Sequence, residues 1–436
     1  MNILNKLWMV YRLNQHFYRW SAETLRRHQE KRTAIILSKA KKSSPYYHRL
    51  LSRQSNPSFA TVPKVDKAKM MAHFDEINTA GLIKADLIDF QLKQEKEGTL
   101  GLYKGEFSVG VSSGTSGNKG LTVLSEGERE MYSCLLWARN GIPKSIKSRR
   151  VLFTLRTNNP AFMEVQSFGL KIVYMDYTHP IKDYIHAIND RELNIIAGPP
   201  SLLVMIARQH RDIKHVIDAV ISYAEVLTDE IRSEIEKAFG IQVIQIYQGS
   251  EGFIASTCRM GKLHLNEDTI LVELEDTKDT LGQAKNVVVT DLYRTTQPII
   301  RYSLNDVLEI SDKPCACGSC FRVVERIHGR ANDVFQLRGI NTEFCYLFPD
   351  YVQKAVIHAS DAIIDYQVIQ HSVDAIEVRL ILKESSNRAQ IEKAVTENLA
   401  KWSNKAGGIL CEVTFTTKPP EINPVSKKYI RVIRKF

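Results

Sequence analysis

Glycine and proline are sparse in this 436-residue chain, at 22 and 14 residues, which excludes collagen-like, fibrous and disordered architectures. No internal repeat or low-complexity tract occurs, so solenoid and linker-dominated designs drop out as well. Long apolar runs are missing too. No segment approaches the roughly 18 uninterrupted apolar residues of a membrane-spanning helix, and Lys6 and Arg12 interrupt the start before a secretory core of about 7–15 residues can form. The expectation is a soluble, cytoplasmic protein that is peripheral to a membrane at most.

Acidic residues are scarcest at the beginning. Residues 1–50 hold eleven basic side chains against Glu23 and Glu30, leaving 48 basic and 47 acidic residues in the rest of the chain. The formal charge of +10 and the pI near 9.1 therefore belong to an N-terminal arm. A nucleic-acid partner would rest on pI alone, and no zinc-finger or similar module accompanies it, so that class is set aside. The arm reads as a solvated helical face packed on the body, with a dock for an acidic carrier protein or a weak peripheral grip on anionic membrane as alternatives.

Cysteines are seven, an odd number, with Cys315, Cys317 and Cys320 inside six residues. That distribution suits metal ligation in a reducing compartment better than a disulfide scaffold. Cys134, Cys345 and Cys411 read as small core residues.

What is present is globular: 44% hydrophobic and 25% charged residues in 49.7 kDa, enough for two or three domains. Leu4, Leu7, Trp8, Tyr11 and Tyr18 recur at helical spacing, and good helix formers continue until Ser43-Ser44-Pro45. Residues 1–96 read as a basic helical region packed on the large domain. From Val151, apolar runs at 151–155, 170–175, 194–197, 219–223 and 241–247 alternate with helical patterns, the signature of a parallel sheet. Closely spaced strands at 269–274, 286–290 and 298–302 suggest an antiparallel meander. A third pattern beyond residue 330 predicts a helix at 346–358, strands at 362–370 and 375–383, a helix at 387–402 and a strand at 409–417. The fold class is therefore α/β, with a large domain over 97–329 and a small α+β domain over 330–436.

Val111-Ser-Ser-Gly-Thr-Ser-Gly-Asn-Lys-Gly120 combines glycines that expose backbone N–H groups, hydroxyl donors and a lysine, together a cradle for phosphate. It is not the Walker pattern. Taken alone it would read as a flexible surface loop. Three further segments follow in order: Tyr247-Gln-Gly-Ser-Glu251 after a buried strand, Thr290 to Asp306, and Gly329 to Gly339.

In this order and spacing the four segments resemble the motifs of the adenylate-forming superfamily, nearest its phenylacetate–coenzyme A ligase and CapK-like branch, over residues 100–436. The resemblance implies the two-domain fold of that superfamily, with a mobile C-terminal domain. It also implies magnesium ATP and a carboxylic acid giving an acyl-adenylate and pyrophosphate, with coenzyme A or a carrier-protein phosphopantetheine accepting the acyl group. Adenylyl transfer to a phenolic coenzyme, or a non-catalytic nucleotide-binding protein that kept the fold, are the alternatives.

By the same resemblance Ser112, Ser113, Gly114, Thr115, Ser116, Gly117 and Lys119 form the phosphate loop. Tyr247 would stack near adenine beside Gln248 and Glu225, and Glu251 would be the magnesium-linked carboxylate. Asp306 would bind the ribose hydroxyls, Arg330 would contact ribose and phosphate, and Asn332 occupies the hinge position where an aspartate is usual. Lys428, with Lys427 adjacent, would be the adenylation lysine. Ala197, Gly198, Pro199, Pro200, Tyr223 and Ala224 would line the acid pocket, compatible with an aryl acid or a slender acyl chain. Some members of the branch carry a structural zinc in these regions. The expected ligands are Cys258, His264, Cys315 and Cys317, with Cys320 as a substitute for the histidine. A dimer is compatible with all of this.

Overall fold

Asn2 and Ser21 each cap a helix by accepting a backbone N–H three residues ahead, opening α1 (Ile3–Arg19) and α2 (Ala22–Ser43). Pro45 cannot continue α2 and instead opens a third helix, α3 (Pro45–Ser52). The computed structural model describes residues 2–52, 59–97, 99, 101–111, 120–142, 149–154, 170–175, 179–277, 284–330, 333–421 and 430–436. The chain divides into two compact units: one of residues 1–273, 288–304 and 311–325, the other of 274–287, 305–310 and 326–436.

In the first unit α4 (Lys67–Ala72), α5 (Phe74–Ile77) and α6 (Lys84–Glu97) precede an antiparallel pair, β1 (Ser108–Val111) and β2 (Leu121–Leu124). The helix α7 (Glu126–Arg139) starts on a capping box of Ser125 and Glu128. Five parallel strands follow, β3 (Arg149–Thr154), β4 (Leu170–Met175), β5 (Ile195–Gly198), β6 (Ala219–Ser222) and β7 (Val243–Gly249), in the order β4-β3-β5-β6-β7. All five match the apolar runs of the sequence.

These strands are apolar at successive positions because both faces are covered. Ile195, Ala197, Ala219, Ile221 and Tyr223 face Leu13 of α1 and Cys134 and Leu135 of α7. The alternate residues Leu152, Ile196 and Val220 pack with α8 (Ile181–Asp190), α9 (Pro200–Arg208) and α10 (Asp229–Phe239).

The sheet continues antiparallel through β8 (Gly252–Thr257) and β9 (Leu263–Leu265), two strands with no counterpart in the sequence reading. The strands β10 (Ile270–Asp276), β11 (Ala284–Asp291), β12 (Tyr302–Ile310) and β13 (Val323–Arg330) are neighbours in that order, with β13 beside β9. The run 298–302 departs from expectation, since β12 starts only at Tyr302. Pro298 and the left-handed Arg301 (φ 46°) keep Ile299 and Ile300 out of the ladder, although both are buried.

The second unit carries β14 (Phe335–Gly339), β15 (Phe344–Leu347), α11 (Pro349–Ile357), β16 (Ile363–Ser372), β17 (Ala375–Leu382), α12 (Arg388–Lys405), β18 (Gly408–Ile409), β19 (Glu412–Thr416) and β20 (Val432–Arg434). They form sheets β15-β14-β18 and β19-β17-β16-β20 around Phe335, Leu337, Val352, Val368, Val378, Val395 and Leu399. The predicted helix at 346–358 is shorter, because residues 344–347 pair as β15 and Pro349 takes the first helical turn.

A buried ion pair ties α1 and α7 to the segment before β10. Asp268 is fully buried and accepts from Arg139 at 2.6 and 2.7 Å and from His16 Nδ1 at 3.1 Å. Arg139 also donates to Asn266 Oδ1 and Leu13 O, with its guanidinium against the rings of Phe17 and Phe321. Burial alone would push the Asp268 carboxyl up, but the Arg139 charge and the His16 bond outweigh it and hold it below its ordinary value. A depressed carboxyl contributes stability above its unfolded pKa, about 3.9, and loses that contribution as pH falls through the lower folded value. Arg139→Ala removes one partner of a buried pair and is expected to destabilise the protein by about 3–5 kcal/mol in urea unfolding. The same variant should begin acid unfolding at higher pH than wild type, because Asp268 loses the charge that keeps it ionised.

Candidate functional site

The carboxyl ends of parallel strands are where ligands bind in such sheets. Here β5 ends at Gly198, β6 at Ser222 and β7 at Gly249. Ala197, Gly198, Pro199 and Pro200 are buried at this edge, and Thr154 Oγ1 donates to Ala197 O. A Cβ on Gly198 would lie 2.4 Å from that hydroxyl, so only glycine lets β3 and β5 approach this closely. Tyr223 is buried and donates to the carbonyls of Thr154 (2.6 Å) and Ala197 (3.1 Å).

Ala224 turns the chain at φ 69°, a left-handed conformation that costs roughly 1–2 kcal/mol for a residue with a Cβ. The turn brings Glu225 to the first turn of α9, where its carboxylate accepts from Ser201 N (3.2 Å) and Ser201 Oγ (3.0 Å). A negative charge is favoured at that helix end. Ser222 opens the strand end 222–225 that the resemblance assigns to the acid pocket, and its buried hydroxyl has no hydrogen-bond partner among the described residues.

The hairpin between β7 and β8 carries Ser250 and Glu251 at its tip, with an irregularity in the pairing at Tyr247/Gln248. Tyr247 and Gln248 are half-buried, and Gln248 Oε1 accepts from Tyr132 OH at 2.7 Å. The Glu251 carboxylate folds back over Gly249, where a Cβ would sit 2.7 Å from it. Burial foremost, and then the Glu251 charge and its hydrogen bond, push the Tyr302 phenol above its ordinary range.

The segment from Asp291 to Arg301 supports this hairpin. Asp291 Oδ1 accepts the N–H groups of Tyr293 and Arg294, closing a tight turn. Buried Arg294 donates to Ser250 O and to Gln297 Oε1. Gln297 in turn accepts from Val123 N and donates to Leu121 O, so one arginine and one glutamine join β2 to the Glu251 hairpin. Burial pushes Arg294 down from the usual arginine range, against the charges of Asp291, Glu128 and Glu251. The sequence held the signal in the spacing Asp291-x-x-Arg294-x-x-Gln297, but one-dimensional reading gave these residues no task.

Asp306 lies half-buried in β12 and belongs to the second unit, as does the backbone of Arg330 at the end of β13. The phosphate-loop positions Ser112, Ser113, Gly114, Thr115, Ser116, Gly117 and Lys119, the hinge Asn332, and Lys427 and Lys428 lie outside the described residues.

The cysteine cluster is fully described. Cys258, His264, Cys315 and Cys317 present one ligand atom each, all within 4.8 Å of one another, and Cys320 is not among them. Cys258 Sγ and Cys315 Sγ are 3.8 Å apart, and Cys317 Sγ lies 3.5 Å from His264 Nε2. Tetrahedral bonds of about 2.3 Å to sulfur and about 2.0 Å to nitrogen require separations of about 3.8 and 3.5 Å.

His264 Nδ1 donates to Phe321 O at 2.8 Å, which leaves the Nε2 lone pair for the cluster. Backbone N–H groups of Met260, Cys317 and Ser319 point at the sulfurs of Cys258, Cys315 and Cys317. Burial foremost pushes the thiol of Cys258 up and that of Cys317 to about 12. Thiolates here need a cation, and the donor set suits a soft tetrahedral one.

No family model matches the chain. Among curated proteins it is 30% identical over 228 residues to Protein CapK of Staphylococcus aureus, covering 50% of this chain and 49% of CapK. It is 23% identical over 236 residues to the phenylacetate–coenzyme A ligase of Thermus thermophilus, covering 50% and 52%. The chain thus spans about half the length of the curated relatives it matches. Among solved structures, 2-hydroxyisobutyryl-CoA ligase in the postadenylation state with 2-HIB-AMP superposes with a TM-score of 0.71 at 17% identity, over 97% of this chain and 91% of that one. An anthranilate CoA ligase in complex with anthranoyl-AMP superposes with a TM-score of 0.52 at 15% identity, over 72% of this chain and 64% of that one. The fold is therefore that of the adenylate-forming ligases, and the resemblance to the phenylacetate–CoA ligase and CapK branch holds.

Purified protein is expected to carry about one equivalent of a tetrahedrally ligated soft metal ion by elemental analysis. Cys317→Ser should lose the ion and melt at lower temperature, whereas Cys320→Ser should retain both ion and melting temperature. Less than about half an equivalent after gentle purification would count against the site.

Proposed function

We propose that the protein activates a carboxylic acid with ATP and passes the acyl group to a thiol, with coenzyme A as the acceptor. The observation that carries this reading is the place of Glu251, on the hairpin that follows the last parallel strand, at the ligand-binding edge of the sheet. The fold match to ligases captured with acyl-adenylates supports it.

In this reading a carboxylate oxygen of the acid attacks the α-phosphorus of ATP. The P–O bond to the β-phosphate breaks, releasing pyrophosphate and leaving a mixed anhydride. The thiol sulfur then attacks the acyl carbon, AMP leaves and a thioester remains. Ser112 to Gly117 and Lys119 hold the triphosphate; Tyr247, Gln248 and Glu225 flank the base; Asp306 accepts the ribose hydroxyls; Arg330 contacts ribose and phosphate. Lys428 stabilises the oxygens of the forming acyl-phosphate in the first step, and Asn332 is the hinge.

Glu251 is a hard oxygen donor that suits magnesium, which would offset charge on the phosphates. Ala197, Gly198, Pro199, Tyr223 and Ala224 border the acid pocket. Zinc is the ion we assign to Cys258, His264, Cys315 and Cys317. A closed shell of four protein ligands is structural, bracing the strands beside the hairpin.

Acid-dependent ATP–pyrophosphate exchange across aryl, fatty and amino acids tests the reading. At least one class is expected to support exchange, and silence across the panel with folded protein would leave a nucleotide-binding protein that kept only the fold. Lys428→Ala should lower exchange at least about a hundredfold, while thioester formation from supplied acyl-adenylate stays near wild type. Equal loss of both would remove Lys428 from the role given to it.

A further inference from the structure

The helix α1 is apolar on two faces, and the fold uses one. Leu13, His16 and Phe17 are buried against the body. Ile3, Leu4, Leu7, Trp8 and Tyr11 are instead exposed by 61, 72, 53, 56 and 60%. At about 100° per residue these five fall in one arc about 140° wide, centred about 160° from the buried face.

The charged residues of α1 itself are all basic. No acidic residue precedes Glu23 in the sequence. Arg12 and Arg19 are exposed along the Trp8 edge of the arc, and the Arg12 guanidinium lies 4.6 Å from the Trp8 ring. On the other flank Lys6 is paired with Glu130 at 3.2 Å. Aliphatic and aromatic side chains bordered by arginines suit the headgroup boundary of an anionic bilayer, where apolar groups enter and cations meet phosphate. A second copy would set two cationic helices face to face, which like-charge repulsion disfavours.

We propose that the outward face of α1 docks the protein reversibly on an anionic lipid surface. Leu4, Leu7, Trp8 and Tyr11 enter the interface, and Arg12 and Arg19 pair with lipid phosphates. The docking is independent of the acid-activation reading.

Sedimentation of the full chain with vesicles of phosphatidylcholine containing about one third phosphatidylserine, against phosphatidylcholine alone, tests it. Wild type should bind the anionic vesicles, bind neutral ones weakly, and lose binding as salt rises from about 0.15 to 1 M. The double variant Leu7→Ser, Trp8→Ser should weaken partitioning more than about tenfold, and Arg12→Gln or Arg19→Gln about fivefold each. These positions are exposed, so far-UV circular dichroism and ATP–pyrophosphate exchange should stay at wild-type levels. Exchange measured without lipid keeps a failure of acid activation distinct from a failure of docking. Absence of wild-type binding to anionic vesicles, or unchanged binding by the double variant, would overturn the proposal. Dimerisation seen by light scattering, and lost in the double variant without any vesicle binding, would assign the face to a second copy and overturn it equally.

Discussion

Asp268 is the constraint on which the rest of the first unit depends. A carboxylate with no exposed surface is tolerable only if its charge is answered on the spot, and Arg139 and His16 answer it from two different helices. The effect spreads along the chain because Asn266, two residues earlier, bonds to Phe253 O, Ser256 Oγ and Arg139. Phe253 and Ser256 lie in β8, the strand that leaves the Glu251 hairpin. The first helix of the chain is thereby coupled, through three side chains, to the backbone that presents the candidate magnesium ligand.

The same logic accounts for part of the basic arm. Arg32 donates to Leu292 O and stacks over Tyr293, and Lys39 donates to Thr295 Oγ1. His28 and Gln29 bond to the carbonyls of Asp268 and Glu267. Leu292 and Thr295 belong to the turn that grips Ser250 through Arg294, whereas Glu267 and Asp268 lie in the segment before β10. Cationic side chains of the arm therefore satisfy carbonyls of the support, rather than acting at the site. That is why a local excess of positive charge can sit beside a body of nearly balanced charge without implying a nucleic-acid partner.

What could be read in advance follows from what one dimension encodes. The five parallel strands were legible because burial on both faces demands unbroken apolar runs, and Ile195, Ile196 and Ala197 show why: neighbours on one strand serve opposite cores. The four converging ligands, in two segments far apart in sequence, were legible through the resemblance, which implies a metal site in these two regions. The strands β8 and β9 were not: Leu263–Leu265 is only three residues long, and although β8 pairs with its neighbours as local hairpins, β9 is completed by β13 from far off in sequence. The end of the run at Arg301 was invisible too, because its left-handed backbone is held by contacts with residue 60, residue 62 and Glu273, far off in sequence. Arg294 and Gln297 fall in the same class: their roles exist only once β2 and the hairpin are brought together.

The cysteine cluster and α1 share one further dependence. Phe17 lies edge-on to His264 and Phe321, and Leu25 completes the apolar wall around Cys258 and Cys317. Burying the sulfurs of Cys258 and Cys317 this way raises the cost of ionising them, so the wall and the ion stabilise each other: neither thiolates without a cation nor a cation without thiolates would be favourable there. The buried side of α1 is thus fully committed, to Asp268 at His16 and to the cluster at Phe17. Its outward side carries no such commitment. Polar residues at Leu4, Leu7 and Trp8 would leave the helix capped by Asn2 and packed by Leu13, His16 and Phe17 as before. Apolar side chains placed where folding does not require them answer to something the folded chain meets, and the exposed Arg12 and Arg19 along their edge narrow what that can be.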